Sequence, residues 1–226
     1  VRVFVSRDAA AIALGADETA AALQRAATAA GESIEIVRTG SRGMVWLEPL
    51  IEVVIGNERI GYGPVAAEEV DSLLRAGLLK GGAHARRLGA VDSLPYLAKQ
   101  ERLTFARVGL IDPLDIDQYQ AHGGYAGLKR ALGLGGEQVV KEVTDSGLRG
   151  RGGAAFPTGI KWKTVYDQPA QQKYVVCNAD EGDSGTFSDR MLMEGDPYCL
   201  IEGMTIAGVA VGATQGRHTA AGRALH

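Results

Sequence analysis

The sequence predicts an α/β protein built as two domains. Three observations carry this: alternating apolar segments flank an alanine-rich helical run near the start, the 226 residues exceed one modest core, and an irregular stretch at 81–104 separates two sets of regular segments.

Val1 to Ser6 alternates like a strand, and Asp17 to Ala30, with Leu23 in an alanine-rich run between Asp17 and Gly31, carries helix start and stop signals. Ser33 to Arg38 alternates again, completing a βαβ unit. Beyond the loop Thr39-Gly40-Ser41-Arg42-Gly43, Leu50 to Ile55 and Arg59 to Tyr62 meet across Gly56-Asn57, a turn suited to a hairpin. Val65 to Ala76 reads as a closing helix, with Glu68 and Glu69 early and Gly77 just past its end. The order βαβ then ββα is that of a thioredoxin-like domain over residues 1–80. Gly81-Gly82, Arg86-Arg87 and Pro95 mark 81–104 as a surface linker.

The second domain, 105–226, opens with Asp112-Pro113-Leu114-Asp115. Gly123-Gly124, Gly133 and Gly135-Gly136 punctuate three short helices. Lys173 to Asn178 reads as a buried strand from its Tyr-Val-Val-Cys run, and Pro197 to Ala213 as a largely apolar helix.

The bulk composition excludes several function classes. Lys+Arg 24 against Asp+Glu 27 gives a net charge of -3, so no basic field invites nucleic acid. The apolar run Met204–Ala213 contains Gly208 and Gly212 and is shorter than the roughly 20 residues of a membrane span. The first residues lack signal-peptide order, so a cytoplasmic location is expected. Cys177 and Cys199 match no redox or metal spacing and are expected as reduced core thiols. His84, His122, His218 and His226 show no metal-site spacing and are expected at the surface.

The chemistry concentrates in two segments. In Gly150-Arg151-Gly152-Gly153 the glycines permit positive φ and close backbone approach, so successive N–H groups can face one anion. Thr158-Gly159 then leads into a helix whose N-terminus adds positive potential. Arg149 and Arg151 offer forked donors, Lys161 a compact charge, and Phe156 either a core aromatic or a stacking platform. The second segment, Asn178-Ala179-Asp180-Glu181, follows a strand, where α/β sheets bind ligands. Its amide can donate and accept along a ring edge, and its carboxylates can accept from sugar hydroxyls.

Together the run SGLRGRGGAAFPTGIKW from Ser146 and the run CNADEGDSGTFSDR from Cys177 resemble the NADH-binding flavoprotein subunits of complex I. The same module occurs in NAD-reducing hydrogenases and NAD-dependent, molybdenum-containing formate dehydrogenases. The resemblance runs from near Gly109 through Gly123-Gly124-Tyr125 to about Ala213. It implies the first half of an FMN-binding α/β domain, with FMN and NAD as cofactors and no catalytic side chain, hydride passing through FMN. It also implies that Gly150, Arg151, Gly152, Lys161, Asn178, Asp180 and Glu181 contact FMN, with Gly153 in the same loop. Phe156 would face the nicotinamide, and Asp183 stands near the dinucleotide, where complex I subunits usually carry Glu.

That shortening, with a first domain free of cysteine, makes the resemblance nearest to the beta subunit of a soluble formate dehydrogenase. Thr39-Gly40-Ser41-Arg42-Gly43-Met44 with Glu48-Pro49 looks like the cluster loop of a thioredoxin-like [2Fe-2S] domain, yet no thiolate is there to hold iron. A docking role follows, with an iron-sulfur thioredoxin-like subunit and a molybdenum catalytic subunit as expected partners. A complex I or hydrogenase flavoprotein is the enzyme alternative, and an inactive docking fragment the non-enzyme one. The family's second acidic motif and [4Fe-4S] ligands are absent, and Gln215 to His226 is poor in strand formers where a strand is due, so a truncated or frame-shifted frame is expected. Ala155 stands where many relatives have Gly and is expected to be tolerated.

Overall fold

The computed structural model describes all residues except Ser184, Ala221, Gly222, Leu225 and His226, with backbone alone from His218 onward. The chain forms two compact units: Val1–Tyr119 with Met191–Pro197, and Gln120–Arg190 with Tyr198–His226.

The first unit is a five-stranded mixed sheet. β1 (Arg2–Ser6), α1 (Ala9–Ala13), α2 (Ala16–Ala29) and β2 (Glu35–Thr39) form the βαβ unit, followed by β3 (Ile51–Ile55), β4 (Glu58–Tyr62), α3 (Val70–Arg75), β5 (Arg87–Ala90) and α4 (Pro95–Ala98). The order is β2-β1-β3-β4-β5, with β1 parallel to β2 and antiparallel to β3. Its first four strands have the thioredoxin arrangement that the element order predicts.

Register explains the core. Val3 lies opposite Val53 and Val5 opposite Ile51, while Val53 and Ile51 meet Ile60 and Tyr62 of β4, so one face is uniformly apolar. Ala16, Ala20 and Leu23 of α2 and Val70 and Leu73 of α3 close over it. Each fully buried Val or Leu there contributes about 1.5–3 kcal/mol.

The segment expected as a linker is instead part of this unit. Ile60 pairs with Ala90 and Gly61 with Gly89, and Val91 and Leu97 are buried with Met44 and Leu50. Its punctuation is local: Gly81 has φ 73, and Pro95 opens α4, where its missing N–H costs nothing. Residues 105–119 also stay with this unit, burying Val108, Ile111 and Tyr119. Arg107 Nε donates to the buried Asp196 at 2.8 Å and lies over the Tyr119 ring.

α5 (Ile116–Ala121) leads to the second unit, formed by α6 (Ala126–Leu134), α7 (Gly136–Asp145), α8 (Thr158–Tyr166), β6 (Tyr174–Ala179), α9 (Ser188–Gly195, up to Arg190), α10 (Pro197–Val211, from Tyr198), β7 (Gln215–Ala220) and β8 (Arg223–Ala224). Ala131, Val139, Val140, Ala210 and Val211 form its core with half-buried Trp162 and Val165. α10 ends at Gly212, φ 73, the usual left-handed stop.

Two expectations are corrected here. β6 is not a buried strand: Tyr174 and Val176 are 52% and 61% exposed, because successive side chains alternate and only the face of Val175, Cys177 and Ala179 is covered. The stretch from Gln215, read as unsuited to a strand, forms β7, parallel to β6 in register from Tyr174–Gln215 to Ala179–Ala220. Backbone pairing outweighs weak β propensity. The last residues of that stretch lie partly outside the described ones.

Candidate functional site

The glycine-rich segment is a closed-neck loop between α7 and α8. Gly150 N–H donates to Phe156 O at 2.9 Å and Thr158 N–H to Leu148 O at 2.9 Å, so the strands entering and leaving the loop clasp each other. Arg149 Nη1 donates to Ala155 O at 3.0 Å. Arg149 therefore shapes the loop rather than reaching outward, which leaves residues 151–155 as the tip.

At that tip Gly153 has φ 96, and a methyl group on Gly152 or Gly153 would meet no protein atom. These glycines answer to no internal packing demand. Ala155 has φ 50, the left-handed region a side chain enters at a cost of about 1–2 kcal/mol, so the extra methyl is carried under strain.

Arg151 and Lys161 are exposed and form no ion pair among the described residues, and Phe156 is 49% exposed, so it is not a core aromatic. Gly159, expected to serve the helix N-terminus, has another duty. A Cβ there would stand 2.3 Å from Thr144 Oγ1 and 2.5 Å from Thr144 Cα, so it sets the contact between α7 and α8.

The second candidate segment leaves the end of β6. Asn178 Oδ1 accepts the Asp180 N–H at 3.0 Å, turning the chain immediately after the strand. Asp180 and Asp183 are exposed. Glu181, with φ 49, sends its carboxylate to the start of α9: Oε1 accepts Asp189 N–H at 2.8 Å and Ser188 Oγ–H at 3.2 Å, and Oε2 accepts Arg190 N–H at 3.1 Å. Burial works against its charge, but these donors prevail and hold the carboxyl below its ordinary range. No hydrogen bond among the described residues joins the 150–161 set to the 178–183 set; each is fixed by its own local bonds.

Sequence reasoning missed Glu202. This acid inside the apolar α10 is buried and accepts N–H groups from Tyr125 at 2.7 Å and Leu128 at 2.9 Å, capping α6. One charge in an otherwise apolar helix was the available signal.

Other candidates settle as structural. His84, half-buried rather than at the surface, accepts Arg86 N–H on Nδ1 at 3.1 Å and faces Ser72 Oγ with Nε2 at 3.2 Å. Ser72 donates its own hydrogen to Glu69 O, so the imidazole is the donor and cannot take a proton from the serine. His122 is exposed, and the side chains of His218 and His226 lie outside the described residues. Cys177 and Cys199 are thiols, half-buried rather than core, and burial pushes the Cys177 thiol up. Among the described residues no cluster of three His, Cys, Asp or Glu could hold a metal ion, and no helix is long and apolar enough to cross a membrane. A groove of about 630 Å³ between α7 and α8 is lined by none of the candidate residues.

The exposed loop and the turn after β6 fall inside a segment with known relatives. Residues 143–221 match the Nuo51 FMN-binding domain family. The resemblance to NADH-binding flavoprotein subunits therefore stands on the second unit. The chain is 53% identical over 118 residues to NADP-reducing hydrogenase subunit HndC of Solidesulfovibrio fructosivorans, covering 52% of this chain and 24% of that protein. It is 45% identical over 106 residues to the F subunit of the NADH-quinone oxidoreductase of Escherichia coli (strain K12), covering 46% and 24%. To NAD-reducing hydrogenase HoxS subunit alpha of Cupriavidus necator it is 51% identical over 89 residues, covering 39% and 15%. The matched segment thus spans about a quarter or less of these relatives. An NAD+-reducing [NiFe]-hydrogenase structure aligns over 95% of this chain and 36% of its own at 24% identity and a TM-score of 0.41.

The residues present fit an FMN-type ligand by donor chemistry. Among the described residues, the loop offers glycines with open space and two cations without an ion pair, and the turn offers the exposed carboxylates Asp180 and Asp183. Glu181, alongside them, also holds the start of α9 through its carboxylate oxygens.

Proposed function

We propose that this chain is the FMN-bearing part of a diaphorase subunit that exchanges electrons between iron-sulfur centres and NAD. The observation that carries the reading is the coincidence of the Nuo51 FMN-binding match with an exposed glycine loop whose Arg151 and Lys161 are uncommitted. FMN, when bound, supplies the exchange between hydride and single electrons.

The chain's own residues bind and orient. Arg151 and the N–H groups of Gly152 and Gly153 face the anionic part of the cofactor, and Lys161, one turn into α8, adds charge beside it. Phe156 offers its exposed ring to a flat partner, the nicotinamide in this reading. Asn178 Oδ1 is engaged with its own turn, so its amide N–H₂ is the group left for the cofactor, while Asp180 and Asp183 accept from hydroxyls.

The finer assignment is the beta subunit of a cytoplasmic NAD-dependent formate dehydrogenase. It is supported by a first unit without cysteine and by Asp183 in place of the Glu usual in complex I; complex I and hydrogenase subunits are the alternatives. In that assignment the first unit docks against iron-sulfur and molybdenum subunits.

The test is to incubate the purified chain with FMN, pass it through gel filtration and add NADH anaerobically. Retained flavin absorbance that bleaches on NADH supports the reading. A colourless chain whose fold is intact by circular dichroism contradicts it.

A further inference from the structure

The strap between β6 and α9 is bounded by two residues in the left-handed region. Glu181 opens it with φ 49, and Phe187, the last residue before α9, closes it with φ 54. Between them Thr186 N–H donates to Asp183 O at 3.3 Å, closing a turn. The Glu181 carboxylate, bonded to Ser188, Asp189 and Arg190, fixes the helix start immediately beyond Phe187.

Phe187 is the residue that packing does not explain. A bulky side chain at positive φ crowds its Cβ against its own backbone, in a conformation glycine adopts without strain. Burial does not offset this, since Phe187 is 52% exposed. The Arg190 guanidinium lies over its ring, 4.9 Å from the centroid, so a cation backs one face. An exposed aromatic held in a strained conformation by fixed neighbours has the character of a ligand clamp.

The ring carries no polar atom, so it holds a flat partner by its face and not by its edge. Asp183, in the turn of the same strap, presents an exposed carboxylate that accepts from hydroxyls. A flat ring joined to a hydroxylated sugar is the chemistry of a nucleoside.

We propose that Phe187 is a stacking platform for a purine base, the adenine end of the dinucleotide, with the ribose hydroxyls toward Asp183. This deepens the reading above and rests on its dinucleotide part. A dinucleotide carries two flat rings, and the second unit carries two half-exposed phenylalanines on its two candidate segments: Phe156, 49% exposed, in the glycine loop and Phe187 in the strap.

The experiment titrates ADP-ribose, which has the adenine end without the nicotinamide, into the unsubstituted chain, Phe187→Leu and Phe187→Gly by calorimetry. Ribose phosphate is the control without a base, and the melting temperature and FMN retention of each chain are recorded beside it. Both substitutions are expected to weaken ADP-ribose at least about fivefold, the loss of one base–aromatic stack, with any response to ribose phosphate unchanged. Phe187→Gly, which also removes the backbone strain, is expected to lose binding without a matching fall in melting temperature. No saturable ADP-ribose binding, or equal affinity in the three chains, overturns the proposal. So does a fall in melting temperature that parallels the loss of binding in both variants, which marks Phe187 as packing. Failure of the unsubstituted chain to retain FMN counts against the flavin reading instead, so the two failures are told apart.

Discussion

The loop after β2 and the loop after α7 use much the same residues and come to opposite ends. Thr39-Gly40-Ser41-Arg42-Gly43 and Ser146-Gly147-Leu148-Arg149-Gly150-Arg151 both set arginine among glycines. In the first, the Arg42 side chain is 5% exposed, and Nε and Nη2 form a fork on Glu52 at 3.0 and 2.9 Å, with Nη1 on Asp92 at 3.2 Å. In the second, Arg149 holds the neck and Arg151 stands in solvent. The difference lies in the neighbours: β3 supplies a buried acid beneath the first loop, whereas no acid pairs with Arg151 among the described residues. An arginine spent on a buried acid is structural, and an arginine left exposed beside bare glycines is available to a ligand.

The sharpest way to break this comparison is Arg42→Met. It strands Glu52 in the sheet beside Arg59 alone, and urea unfolding is expected to show a loss of about 3–5 kcal/mol. A loss under about 1 kcal/mol, the level of a surface pair, would show that the network is not what closes the first loop.

The pH dependence comes next. Burial makes Glu48 hold its proton up to about 7 in the fold against 4.5 for the ordinary side chain, so the folded state binds more protons between those values. Stability is expected to decline as pH rises through that window, by up to about 3 kcal/mol, and to change no further on this account above it. Glu48→Gln should flatten the decline in urea midpoints measured across the window.

Gly159→Ala examines the rigid base of the second loop. The added Cβ collides with Thr144, and α7 and α8 must part at a cost of about 1–3 kcal/mol. An unchanged melting temperature would mean that the two helices are not fixed by this contact. The smallest effect is Ala155→Gly, which relieves the φ 50 strain and is expected to stabilise the chain by about 0.5 kcal/mol, net of glycine's added freedom when unfolded.

Much of the fold was legible because its signals are local. The Val3/Val5, Ile51/Val53 and Ile60/Tyr62 alternation marks three strands, and Gly77 marks a helix end. β5 was not legible, since Arg87-Leu88-Gly89-Ala90 has neither alternation nor β-branched residues and is held by the β4 edge. At the candidate site the sequence picks out the exposed set Arg151, Phe156 and Lys161, but it cannot divide the labour of like residues. Arg149 and Arg151 differ only in whether a carbonyl lies within reach, and Gly159 differs from Gly152 only in what a methyl group would strike. The hold of Glu181 on α9 is hidden in the sequence because its partners, the N–H groups opening that helix, lie eight and nine residues further on.

The most direct test of the central claim is an FMN titration of the unsubstituted chain and Arg151→Ala, with urea unfolding of both. The account predicts that Arg151→Ala weakens FMN binding at least about tenfold, the loss of one charged hydrogen-bonding partner, while stability stays within about 0.5 kcal/mol. Equal FMN affinity in the two chains, or a loss of stability that parallels the loss of binding, would contradict it.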